Sequence, residues 1–256
     1  MTETTRRMSN WPPIYLASGS ARRKAILEEL DIPYRPLPVD TEEIVAATGR
    51  ETVEENASRK VRAALRLAER GAIVIAADTV LEVQAGATGP QTHDSAFGRG
   101  SPTQNFALGV PSPRHVSPLL LGKPADEATA TQYLQVLSGS TATAYSAVAV
   151  AAAGDPDGCL ATETAKVHFK TLPPEVIQWY VSTGEPMGRA GAFGIGRLGE
   201  ILTESVDGCY SCVSGLPKTA LVLALARVAS EQMPESLGHV PTVLAGTRVQ
   251  LRCLAV

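Results

Sequence analysis

Hydrophobic and polar positions along the chain switch repeatedly between the period of a strand and the period of a helix. Ile14–Ala17 is a short apolar run, and the Ser18-Gly-Ser turn after it leads into Ala21–Leu30, which has Ile26, Leu27 and Leu30 on one helical face. A second helical stripe, Ala57, Val61, Ala64, Leu65 and Ala68, predicts a helix from about Val53 to Glu69 that Gly71 ends. Ala72–Ala77 (AIVIAA) is apolar throughout, as a strand covered on both faces should be. A helix is expected from Asp126 to about Leu137 with a stop at Gly139, then a hairpin of Thr143–Ala152 and Cys159–Phe169. Pro173-Pro174 opens another helix that ends near Gly184. The Gly-rich stretch Ala190–Gly199 leads to a strand near Glu200–Glu204, and a last helix begins near Pro217. The alternation predicts an α/β fold with a mixed twisted sheet and flanking helices.

Two stretches depart from the pattern. Residues 84–118 hold five Gly and five Pro with no hydrophobic period. They read as a long loop inserted into a compact domain, disordered rather than a lid. Residues 1–13 and 231–256 read as terminal tails around a domain at 14–230. Across 256 residues, 23 basic and 26 acidic side chains leave a formal charge of −3. That balance argues against nucleic acid as a partner, because the phosphate backbone calls for a basic excess. No run approaches the roughly 18 apolar residues of a membrane span. The polar start, Met1–Asn10, shows no apolar core of a secretory signal. The expectation is a cytoplasmic protein bound to no membrane. Cys209 and Cys212 form a lone C-x-x-C in an extended-looking stretch, which reads as ordinary thiols rather than a zinc or redox site.

Within this frame a few side chains stand out for their chemistry. Ser18-Gly-Ser-Ala-Arg-Arg-Lys places Arg22, Arg23 and Lys24 in the first turn of a helix, where cations oppose the helix dipole. A docked phosphate would reverse that sign, since free N–H groups and guanidinium forks both favour it. The bland reading is a solvated basic turn. Asp78 follows six apolar residues, so its carboxylate sits at the end of a strand that should be buried, where ligand sites of open α/β sheets lie. A turn or cap Asp is the alternative. Glu42-Glu43, Lys60 and Lys123 taken singly are surface residues. Taken together, bases to hold a polyphosphate and acids to hold a divalent cation and activate water make up a kit for metal-assisted phosphoanhydride hydrolysis.

The order of short motifs then resembles one family. Leu16-Ala-Ser-Gly-Ser-Ala-Arg-Arg-Lys, Glu42-Glu43, Ala57-Ser-Arg-Lys60, Ala77-Asp-Thr-Val, Gly122-Lys-Pro, Leu137-Ser-Gly, Gly184-Glu-Pro-Met-Gly-Arg-Ala-Gly-Ala-Phe-Gly-Ile and Gly215-Leu-Pro are similar to the Maf, or septum formation inhibitor-like, proteins. The resemblance runs from about Ile14 to Leu225 and implies an inosine-triphosphatase-like fold of two lobes around a cleft. It implies a nucleoside triphosphate pyrophosphatase that cuts between the α and β phosphates with Mg²⁺ or Mn²⁺, and it suggests a homodimer. Carried over by position, Asp78 matches the acid that accepts the water's proton, and Glu43 and Asp78 match metal ligands. Ser18, Arg23, Glu43, Lys60 and Lys123 match the phosphate and metal site, and Arg22 and Thr79 match positions tied to substrate choice. Two departures stand out. Ala21 replaces a common Pro, a substitution at a helix start that should be tolerated. Gly196 stands where the pyrimidine-preferring branch has a Gln, so the implied substrate is dTTP/UTP or a modified, non-canonical triphosphate. The alternative is a nucleotide-binding regulator of cell division without catalysis.

Overall fold

The computed structural model describes residues 12–84, 118–155, 157–229 and 249–255. Residues 85–117 of the Gly/Pro-rich stretch and 1–11 and 230–248 of the two tails lie outside the described residues. The elements follow in the order β1 Ile14–Leu16, α1 Ala21–Glu29, β2 Arg35–Pro36, α2 Gly49–Leu65, β3 Ile73–Val83, β4 Leu119–Leu121, α3 Glu127–Leu137, β5 Thr141–Ala152, β6 Asp157–Phe169 and α4 Pro174–Ser182. Short 3₁₀ turns at Ala190–Ala192 and Leu198–Leu202 precede β7 Thr203–Gly208, α5 Tyr210–Val213, α6 Lys218–Val228 and β8 Gln250–Ala255.

Eight strands form one mixed sheet ordered β2-β1-β3-β5-β6-β7, with β4 paired to β3 and β8 to β6. β1 pairs in parallel with both β2 and β3, and the remaining ladders are antiparallel. The hairpin expected from the sequence is the β5–β6 pair, registered from Thr141 opposite His168 to Ala151 opposite Gly158. α2 begins earlier than its apolar stripe suggests, because Thr48 caps it by accepting from the Glu51 amide at 3.2 Å. Val53, Ala57, Val61 and Ala64 of α2 are fully buried against Val74, Ala76 and Val80 of β3. Burying each valine there contributes roughly 1.5–3 kcal/mol.

β3 differs most usefully from the sequence reading. It continues past Ala77 to Val83, so Asp78 lies in mid-strand rather than at a strand end. β5 supplies the reason, offering Thr79 through Val83 a full ladder of partners, Ser146 back to Ala142. The strand runs through three cores. Ile73, Ile75 and Ala77 pack under α1 and α6; Val74, Ala76 and Val80 under α2; Leu81 and Val83 in a separate cluster with α3 and α4. Asp78 and Thr79 belong to none of these clusters. The strand expected near Glu200–Glu204 is a 3₁₀ turn through Leu202, and pairing with β6 starts only at Thr203. β8, in the stretch read as a tail, joins the sheet along the Asp157–Thr162 end of β6.

Candidate active site

Alternation along β3 sends neighbouring side chains to opposite faces. Asp78 therefore faces α2, and Thr79 faces the α1–α6 side. Asp78 is only 5% exposed, yet it is well partnered. Lys60 Nζ, from the fourth turn of α2, donates to Asp78 Oδ1 at 2.6 Å, and Asn56 Nδ2, one turn earlier, donates to Oδ2 at 3.2 Å. The same Lys60 Nζ donates to Glu43 Oε1 at 2.9 Å, and Lys123 Nζ, on the loop after β4, reaches that oxygen at 2.7 Å. Burial pushes the Glu43 carboxyl up, but hydrogen bonds from Lys123 and Lys60 and both their charges prevail and hold it at about 2. Asn56 also binds the Glu43 loop directly, accepting from the Ile44 amide at 2.9 Å and donating to the Ile44 carbonyl at 3.0 Å. Four charged side chains from four segments thus alternate in sign as Asp78, Lys60, Glu43 and Lys123.

On the other face the β1–α1 turn meets Thr79. The Ser20 amide donates to Ser18 Oγ at 3.2 Å, closing the turn. Arg23 passes under it: Nε donates to the Gly215 carbonyl at 2.8 Å, Nη1 to Ser18 Oγ at 3.2 Å and Nη2 to Thr79 Oγ1 at 3.4 Å. Burial lowers the pKa of Arg23, while Asp78 and Glu43 act against that. Thr79 Oγ1 also lies 2.9 Å from Ser146 Oγ, its directly opposite partner on β5. Arg22 turns the other way, and its Nη2 donates to the Ile195 carbonyl at 2.8 Å. Burial, then the neighbouring Arg189 charge, brings Arg22 down to about 10. First-turn cations that oppose the helix dipole are thus held by carbonyl oxygens of distant loops.

These groups line one cleft of about 690 Å³, with Ser18, Arg22, Arg23, Glu43, Lys60, Asp78, Thr79 and Lys123 all on its walls. Eight of the eleven residues singled out from the sequence therefore converge, and Lys24 and Glu42 do not line the cleft. Gly196 is not among the lining residues, although Ile195 beside it receives Arg22. Its φ is +84°, and a Cβ there would meet the Tyr210 hydroxyl at 2.9 Å, so Tyr210 stands where a larger side chain would begin. Two residues were missed. Asn56 lies four residues before Lys60, a spacing that puts both on one helical face, and that spacing was the available signal. Arg189, inside the Gly-Arg-Ala-Gly stretch, lines the cleft, and its Nη1 is buried without a hydrogen bond.

The donor set suits a divalent cation that arrives with a phosphate ligand. Glu43 and Asp78 supply two carboxylates, and no hydrogen bond to Glu43 Oε2 is seen among the described residues. No group of three or more His, Cys, Asp or Glu side chains suited to a metal occurs among the described residues. Mg²⁺ commonly takes one or two carboxylates plus phosphate oxygens rather than an all-protein cage. Cys209 and Cys212 do not form an extended segment. Gly208 and Gly215, at φ +109° and +102°, bracket a helical turn, and the Cys212 thiol donates to the Glu163 carbonyl at 3.3 Å. No helix among the described residues is long and apolar enough to cross a membrane.

A family model described as "Maf-like protein" matches residues 13–228. A dTTP/UTP pyrophosphatase of Syntrophomonas wolfei is 31% identical over 83% of this chain and 95% of its own length. One of Pelotomaculum thermopropionicum is 34% identical over 81% of this chain and 92% of its own. Among solved structures, the Staphylococcus aureus Ham1 protein is similar at 19% identity and a TM-score of 0.35, over 61% of this chain and 71% of that one.

Proposed function

The chain belongs to the Maf-like protein family, and from that premise we propose that it is a nucleoside triphosphate pyrophosphatase, a hydrolase that cuts the α–β phosphoanhydride to leave a monophosphate and pyrophosphate. The observation that carries this reading is the alternating array of Asp78, Lys60, Glu43 and Lys123, with the Ser18 turn and two arginines on the same cleft. A water molecule attacking a phosphorus needs an acceptor for its proton and cations to take up charge on the phosphate oxygens. Asp78 is the acceptor, aimed into the cleft by Asn56 and Lys60. Lys60 and Lys123 balance the acids in the free protein and turn to phosphate oxygens when substrate binds. Arg23, with Ser18, cradles the polyphosphate from the α1 side. Arg22 and Thr79 bear on substrate choice.

Glu43 and Asp78 would hold a Mg²⁺ or Mn²⁺ ion, which when bound neutralises the phosphates and polarises the scissile anhydride. The substrate is dTTP or UTP, as the names of the relatives suggest, or, given Gly196, a modified triphosphate. At residue 196, base choice rests on backbone and on the Tyr210 hydroxyl instead of a side-chain amide.

The test is pyrophosphate release from canonical and modified nucleoside triphosphates with Mg²⁺ or Mn²⁺, for wild type and Asp78→Asn. Wild type should turn over. The variant should lose about 10²–10⁴-fold in kcat, the span expected when a proton acceptor is removed. It should still bind a non-hydrolysable α,β-methylene analogue. Binding without hydrolysis by wild type across the whole panel would overturn the reading.

A further inference from the structure

The four cysteines are free thiols and fall into two pairs. Cys212 of the nearer pair is fully buried and already bonded to backbone carbonyls. The other pair is distant in sequence and adjacent in space. Cys159 on β6 and Cys253 on β8 are directly opposite one another in the antiparallel ladder. Opposed residues of such a ladder share a face, with Cα atoms about 4.5–5.5 Å apart, which falls inside the roughly 4.4–6.8 Å span that a disulfide accepts. Contacts on both faces agree with that register. Cys159 lies in the core under α6, and Arg227 of α6 reaches Cys253 Sγ at 3.8 Å. On the opposite face Leu254 joins the core under α2, and Arg252 Nη1 lies 3.2 Å from Glu54 Oε2 of α2. A slip of one residue would break both sets of contacts.

We propose that Cys159 and Cys253 are a reversible oxidation site, a thiol pair that closes to a disulfide under a peroxide oxidant. Cys253 is exposed and meets the oxidant, whereas Cys159 is wholly buried. The Cys253 sulfur attacks one peroxide oxygen, the O–O bond breaks, and a sulfenic acid and water result. The Cys159 sulfur then attacks the sulfenic sulfur, the S–O bond breaks, and hydroxide leaves with the Cys159 proton as water. Both thiols are oxidised and one hydrogen peroxide is reduced to two waters. The bond ties β8 to the sheet and so fixes Arg252 against Glu54, on the helix that also carries Asn56 and Lys60. β8 lies beyond residue 228, where the family match ends, so the device belongs to this chain's own extension.

The whole protein, freed of reductant and treated with hydrogen peroxide, should yield a cross-linked Cys159–Cys253 peptide under non-reducing digestion, reversed by dithiothreitol. The oxidised form should melt at least about 5 °C higher than the reduced form, as expected for a bridge closing a long loop. Cys253→Ser should abolish both the cross-link and the rise while leaving the reduced protein's Tm unchanged. A bridge between Cys209 and Cys212 alone, dimers linked through Cys253, or oxidation of Cys253 that leaves Cys159 unmodified would each overturn the proposal.

Discussion

Replacing Lys60 by Met tests the charge logic of the cleft most directly. The methionine keeps much of the side-chain volume and removes the cation that both acids share. Asp78 Oδ1 and Glu43 Oε1 lie 2.6 and 2.9 Å from the same nitrogen. They are therefore at most about 5.5 Å apart, and at an effective dielectric near 20 two charges at that separation repel by about 3 kcal/mol. Glu43 is 42% exposed, so water screens part of that repulsion. Asp78 also loses a buried 2.6 Å bond and keeps only Asn56, and removing one partner of a buried pair costs about 3–5 kcal/mol. Lys123 still reaches Glu43, which trims the total. The expected net loss at pH 7 is about 2–4 kcal/mol. Urea unfolding at pH 7, with unchanged slope, reads this as a lower midpoint. Lys60→Arg should keep most of the stability. A Lys60→Met protein as stable as wild type would refute the reasoning.

Other expectations follow from single contacts. Asn56→Ala unties Asp78 and the Ile44 backbone together; steady-state kinetics should show kcat falling roughly 10–100-fold, as for a misplaced reacting group, and unchanged kcat would count against Asn56 as a positioning residue. The Glu43 carboxyl is depressed from 4.5 to about 2, so its contribution to stability is present above 4.5 and lost as pH falls toward 2. Urea midpoints between pH 5 and 2.5 should therefore fall less steeply in Glu43→Gln than in wild type. Gly191 sits at φ +66° with a would-be Cβ 2.3 Å from Leu81 Cδ1; Gly191→Ala should lower stability by about 1–3 kcal/mol in thermal melts.

The helices and the central hairpin were legible because each buries a stripe of its own period. α2 and the β5–β6 pair show this best; the first turn of α2, set by the Thr48 cap, escaped, as did the single turn of α5, whose Cys-Tyr-Ser-Cys reads as extended. β3 was read too short because Asp78 and Thr79 interrupt an apolar run, and the ladder that carries the strand past them comes from β5, far away in sequence. β8 escaped because a strand that only edges β6 needs little hydrophobic signal of its own. At the site, the ordered motifs held every charged residue on the cleft except Asp40, although Arg189 was given no role there. What the order could not give was the pairing. That Lys60 bridges two acids depends on where α2 crosses β3, and Arg22 and Arg23 part company because two loops distant in sequence each present a carbonyl.

β3, β5 and β6 each run unbroken from the core under α1 and α6 to the core with α3 and α4. Those two cores are therefore carried on the same beams rather than joined by a hinge, and Asp78 and Thr79 sit at mid-span of one beam. A relative rotation of the two cores would have to twist three strands at once, as in a torsion bar, with the strain spread over many ladder bonds. A chain cut between those cores would sever the beams, so neither half should fold alone.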